Sequence, residues 1–144
     1  MSDKYLLIEA PIYVILPRKT KADKKVALNL NVTRNLHFQI HNQVKQKYKD
    51  IIEEILDNTD QRDVKFTKPV RVVFQLHKAS NRRSDKHNFI SVVEKMLMDA
   101  LTELGILVDD NDDWIKEELF LETKVDKDDP RVTVLITSIV TGKH

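Results

Sequence analysis

The apolar positions of this chain keep two rhythms, one with the period of a strand and one with the period of a helix. Tyr5–Leu16 is rich in strand formers, and Pro11 marks it as an edge or interrupted strand because proline cannot donate to a ladder. From Lys25 to Asn31, Val26, Leu28 and Leu30 alternate with Ala27, Asn29 and Asn31, which predicts a half-buried strand. The period then lengthens. Leu36, Ile40, Val44, Tyr48, Ile51, Ile52 and Ile55 form a helical stripe that Thr33 or Asn35 can cap and that Asn58 ends. Val70, Val72, Phe74 and Leu76 return to strand alternation and lead into the loop Asn81–Lys86. A second helix follows over roughly Lys86–Leu104, with Phe89, Val92, Val93, Met96, Ala100, Leu101 and Leu104 at helical spacing and Gly105 placed to close it. Ile106–Val108 is expected as a short extended link. Ile115–Glu122 and Arg131–Val140 then read as two antiparallel strands joined by the polar tip Lys124–Pro130.

The order β-β-α-β-α-β-β predicts an α+β fold, a mixed β-sheet with two helices packed on it. Two glycines and four prolines leave no flexible linker, so residues 1–144 read as one domain. An apolar content of 41% suffices for a core at this length. The absence of cysteine excludes disulfides and thiolate metal sites. Apolar runs such as Val132–Val140 contain Thr and Ser and stop short of a membrane span. The start Met-Ser-Asp-Lys lacks a signal-peptide layout, so a cytoplasmic protein without a membrane partner is expected.

The net charge of +1 hides an asymmetry. Residues 1–95 carry 19 Lys+Arg against 11 Asp+Glu, and residues 96–144 carry 5 against 12. A basic half joined to clustered carboxylates suits a metal-dependent enzyme acting on nucleic acid, because cations hold the backbone and metals assist the chemistry. The informative stretch runs from Asn81 to Trp114. Asp85 precedes the second helix, where it can cap free N–H groups or serve as a metal ligand. Asp109, Asp110, Asp112 and Asp113 put four carboxylates into five residues, an acidity that repels itself unless cations neutralise it. A helix of about 18 residues is roughly 27 Å long, so the chain must double back along it for the two acidic ends to meet. Lys95 can pair with Asp99 four residues on, or stand inside a carboxylate site and steady charge on a phosphate. Trp114 can stack on an unpaired base or pack against the protein. The histidines at 37, 41, 77, 87 and 144 show no zinc spacing.

The stretch Asp85-x-x-Asn88, then Lys95-x-x-x-Asp99-Ala-Leu, then Gly105-x-x-x-Asp109-Asp110 resembles the RusA family of Holliday-junction resolvases. That family's pattern is Asp-x-Asp-Asn, Lys-x-x-x-Asp-Ala-Leu and Gly-x-x-x-Asp-Asp. The Asn29–Asn35 run is also similar to family members from phages, and the resemblance extends loosely over residues 10–140. Two departures stand out. About one extra helical turn separates Asn88 from Lys95, and His87 occupies the position of the second acid. An imidazole there suits Mn²⁺ better than Mg²⁺, or has no metal role, and Asp112 or Asp113 offers a replacement carboxylate.

The resemblance implies a RusA-like fold and a metal-dependent endodeoxyribonuclease that resolves four-way junctions and other branched DNA by paired nicks. Asp85, Lys95 and Asp110 would be catalytic. Asp85, His87, Asp109 and Asp110 would hold Mg²⁺ or Mn²⁺, Asn88 would orient the loop, and Asp99 would support the helix or pair with Lys95. Arg18, Lys19, Lys21, Arg82, Arg83 and Lys86 are candidates for phosphate contacts. A homodimer in a bacterial or phage-infected cell is the implied setting, since a two-fold protein matches a two-fold junction. A catalytically impaired junction-binding protein of the same fold is the alternative.

Overall fold

The computed structural model describes residues 4–80 and 86–139. Its elements run β1 (Tyr5–Pro11), β2 (Tyr13–Leu16), β3 (Lys24–Ala27), α1 (Leu30–Thr33), α2 (Phe38–Asn58), β4 (Val70–Lys78), α3 (Lys86–Glu103), β5 (Ile115–Phe120), β6 (Lys124–Val125) and β7 (Arg131–Ser138). The fold is α+β with a mixed sheet, as expected, but it has a third, short helix and a separate β2–β3 hairpin.

Alternation along three strands builds the core. In the order β1-β7-β4-β5, Leu6, Ile136 and Val72 stand side by side. So do Ile8, Val134 and Phe74, and then Ala10, Val132 and Leu76. All nine are buried on one face, which α2 and α3 cover. α2 contributes Val44, Tyr48, Ile52 and Leu56, and the Tyr48 hydroxyl donates to the Pro11 carbonyl oxygen at 3.0 Å. Burial raises the Tyr48 pKa far above its ordinary value, so this donor keeps its proton. α3 buries Ile90, Leu97 and Met98 besides the expected stripe, because the sheet, the other helices and the 106–107 segment enclose it on several sides.

The predicted hairpin of 115–122 with 131–140 does not form. β5 pairs with β4 in parallel, and β7 lies on the opposite side of β4, antiparallel to β4 and β1. The reason is the short β6, which continues the line of β5 along β4 to its last residues through His77↔Lys124 and Lys78↔Val125. The tip therefore rounds the end of β4. There the Asp126 amide donates to the Lys78 carbonyl oxygen, and Arg131 holds Asp126 at 2.8 Å and Glu9 at 2.7 Å. The Arg131 hydrogen bond, followed by backbone hydrogen bonding at Asp129 and Asp128, lowers the Asp126 pKa.

Other boundaries also move. The strand expected over Lys25–Asn31 stops at Ala27, because the Asn29 side chain accepts from the Asn31 amide and starts α1. Thr33 ends α1, and His37 caps α2 in place of Thr33 or Asn35. Gly105 closes α3 as expected, with φ +79° and two closing bonds, Gly105 N–H to Thr102 O and Ile106 N–H to Leu101 O. Asp60, at φ 57°, ends α2 in the same way and delivers Gln61 to β1. Ile106 and Leu107 are packed bends rather than an extended link, and Phe66 donates its amide to the Ile106 carbonyl.

Candidate functional site

Ser91, Lys95 and Asp99 are each one turn apart on α3, so they form a line along the helix. Asp99 is the meeting point. Its side chain is only 19% exposed, with Lys45 Nζ of α2 3.3 Å from Oδ2 and Lys95 Nζ 3.9 Å away. Lys45–Asp99 continues one turn on as Lys49–Glu103 at 3.0 Å, so α2 and α3 run in the same direction with matched charges. The Lys95 side chain is 75% exposed, and its cation is free to turn from Asp99 towards an arriving anion.

Asp110 reaches this line from the other direction. After Gly105 turns the chain, Ile106 and Leu107 sink into the core and the segment runs back along α3. Asp110 then lines a cleft of about 240 Å³ with Ser91, Glu94, Lys95, Met98 and Ile115. Hydrogen bonding with the Asp99 side chain raises the Asp110 pKa above the ordinary carboxylate value, and desolvation and Asp109 act in the same direction. A second cleft of about 240 Å³ lies on the far side of Asp99, bordered by Thr33, His41, Lys45 and Lys95.

Asp109 has a different task. Its Oδ1 accepts from the Asp110 amide at 2.7 Å and its Oδ2 from Asn111 Nδ2 at 3.2 Å. Asn111 Oδ1 in turn accepts from the Asp113 amide at 2.9 Å. These side chains shape the turn that presents Asp110, while Asp112 and Asp113 stay exposed. The half-buried Trp114 joins the turn to the sheet, its carbonyl accepting from the Val70 amide.

His87 lies one turn before Ser91, and its ring meets Phe120 edge-on at 5.4 Å. Lys86 is the first residue of α3 and is half-buried. Asp85, Arg82 and Arg83 lie outside the described residues. Arg18, Lys19 and Lys21 are exposed at the tip of the β2–β3 hairpin, where Arg18 Nε donates to the Ala22 carbonyl at 2.8 Å. That tip is about 13 Å of strand beyond the end that adjoins α1. The structure thus sets Lys95 beside Asp99 and puts Asp110 with Lys95 in one cleft, while Arg18, Lys19 and Lys21 stand at the hairpin tip. Among the described residues, no group of three or more His, Asp or Glu side chains is placed to hold a metal ion. No described helix is long and apolar enough to cross a membrane.

Lys45 was not singled out from the sequence, and Asp99 was given only a supporting part. The signal for Lys45 was present, since Lys45 and Lys49 repeat the four-residue spacing of Asp99 and Glu103. No protein-family model matches the chain, and no curated protein matches it.

Proposed function

We propose that this chain is a metal-dependent, structure-specific endodeoxyribonuclease of the RusA type, acting as a homodimer on four-way junctions and other branched DNA. One observation carries the reading. Asp110, Glu94 and Lys95 line one open cleft, with Lys95 3.9 Å from Asp99, so acidic oxygens and an exposed cation border it. The resemblance in residues 85–110 supplies the substrate class.

Among the described residues no full ligand group is assembled, and the proposed ion would rest on a few carboxylates. Asp110 and Asp99 would offer it oxygen ligands. Asp85 and Asp109 complete the proposed acidic set, with Mg²⁺ or Mn²⁺ as the ion. When bound, such an ion polarises a phosphoryl oxygen and lowers the pKa of water. The chain's own residues do the rest. Lys45 fixes the Asp99 carboxylate, Asp109 and Asn111 hold Asp110 at the cleft, and Lys95 neutralises charge on the phosphate. Lys86, at the start of α3, and Arg82 and Arg83, which precede it in sequence, would follow the DNA backbone. Arg18, Lys19 and Lys21 would reach it further along the substrate.

The test is cleavage of a synthetic four-way junction with Mg²⁺ and then Mn²⁺. Paired nicks that disappear in Asp110→Asn while junction binding persists are expected. Unchanged cutting by Asp110→Asn would remove the site assignment. A second reading, a junction-binding protein without cleavage, is favoured by His87 standing at an acid position with its ring against Phe120. Binding without cutting under both ions would select it.

A further inference from the structure

The sheet has two edges, and the chain treats them in opposite ways. An edge strand exposes unpaired N–H and C=O groups that recruit another strand unless they are covered. At β1 those of Leu7 are covered. Gln61 Oε1 accepts from the Leu7 amide and Gln61 Nε2 donates to the Leu7 carbonyl, both at 2.9 Å, so one side chain imitates a neighbouring strand. Lys4 Nζ also donates to the Lys65 carbonyl across the same margin.

Within β5 no side chain plays this part among the described residues, although just beyond it Gln75 Nε2 donates to the Glu122 carbonyl at 2.9 Å. Every residue of β5 from Lys116 to Phe120 is exposed, although a strand in parallel pairing is ordinarily shielded on both faces. Leu119 is 48% exposed and Leu121 46%, and Phe120 and Val125 beside them are exposed as well. The Leu121 amide donates to Phe74 O, so residues 117, 119 and 121 turn their backbone groups towards β4. Those of 116, 118 and 120 remain on the free edge.

We propose that β5 is the self-association surface of this protein: two copies join antiparallel along β5, with Leu119 on the two-fold axis, and merge their sheets into one. The occupant is a second copy because the edge is complementary to itself. Antiparallel pairing requires residues with the same backbone orientation to face each other, so only registers centred on a residue are possible. Centring on 117 puts Glu117 against Glu117, and centring on 118 puts Glu118 against Glu118. Centring on 120 sets Glu118 against Glu122 and Lys116 against Lys124. Of the registers centred on a residue of β5 itself, only the one on 119 avoids facing like charges. It places Lys116 opposite Glu122 at both ends, and neither makes an ion pair among the described residues. Leu119 then meets its twin as a non-hydrogen-bonded pair, the geometry with the closest side chains. Cross-strand pairs of both kinds stabilise a sheet. This inference names a surface for the homodimer above, but it needs no nuclease activity and is tested without DNA.

The natural chain contains no cysteine, so an introduced one reports its own surroundings. Leu119→Cys and, as a control on the β2–β3 hairpin, the similarly exposed Ile15→Cys are oxidised mildly and run on a non-reducing gel. Rapid covalent dimer from Leu119→Cys alone is expected. Sedimentation should show a dimer for the natural chain and at least a tenfold weaker one for Leu119→Lys, with unchanged thermal melting. Lys116→Glu should weaken association, and Lys116→Glu with Glu122→Lys should restore it. A natural chain that sediments as a monomer at tens of micromolar overturns the proposal. So does a dimer indifferent to Leu119→Lys, or equal crosslinking of the two cysteine variants. Failure of the double variant to restore association overturns the register.

Discussion

Replacing Asp110 with asparagine should make the metal-free protein more stable, the reverse of what most substitutions do. The expectation follows from Asp110 standing in hydrogen-bonding contact with Asp99, which raises its pKa. Above that raised value Asp110 carries its charge beside the Asp99 side chain. At a separation of 4 Å, two like charges repel by about 1 kcal/mol in a water-like medium, and Asp110 is exposed enough for that medium to be the fitting one. Lys45 and Lys95 take part of the Asp99 charge, so about 1 kcal/mol is the ceiling. A raised carboxyl pKa contributes stability that is fully present below the ordinary value near 4 and is lost as pH rises through the raised one. Asparagine carries no charge and can donate to Asp99 at every pH. Asp110→Asn should therefore melt about 2–4 °C above the natural chain at pH 8 and level with it at pH 4. Scanning fluorimetry with a chelator present measures both. Added Mn²⁺ should raise the natural chain and leave Asp110→Asn unmoved. A variant that melts at or below the natural chain at pH 8, or gains equally at both pH values, refutes the crowding of the two acids.

Gly105→Ala should cost about 1 kcal/mol by chemical denaturation, since the residue has positive φ. The nearest atom to an added Cβ is Lys65 Nζ at 3.6 Å, so the loss would come from the backbone and not from a clash; a neutral result counts against the closing motif. Gln61→Ala should cost about 1 kcal/mol and speed hydrogen exchange at the Leu7 amide, which loses its acceptor. Unchanged exchange there would mean that the edge is not plugged. Tyr48→Phe should cost about 1–3 kcal/mol in denaturant melts by leaving the Pro11 carbonyl without a donor, and no loss would refute that bond.

Much of the layering was legible from periodicity. Val70, Val72, Phe74 and Leu76, and then Val132, Val134 and Ile136, announce which face is buried. Alternation specifies a face and not a neighbour, which is why β7 could be placed beside β5 when it belongs between β1 and β4. The need for the chain to return along α3 was also legible, from the length of the helix and the position of Gly105. That Asp110 would settle against Asp99 was not, because like charges give no reason to expect contact until Lys45 is known to hold one of them. His37 as a helix cap was equally hidden, since its ring nitrogen does what Thr33 or Asn35 was expected to do.

The position of β7 between β1 and β4 also sets a timetable. Leu7 finds its partner in Leu135, and Val73 pairs with the same residue from the other side. At about 5–20 residues per second, a ribosome finishes β1 roughly 6–25 s before the strand it must pair with. Through that interval the amino-terminal segment is already made while its inner ladder has nothing to bond. Folding of this sheet therefore waits until β7 has been made, and a ribosome that stalls before residue 131 leaves β1 and β4 with no strand to join them.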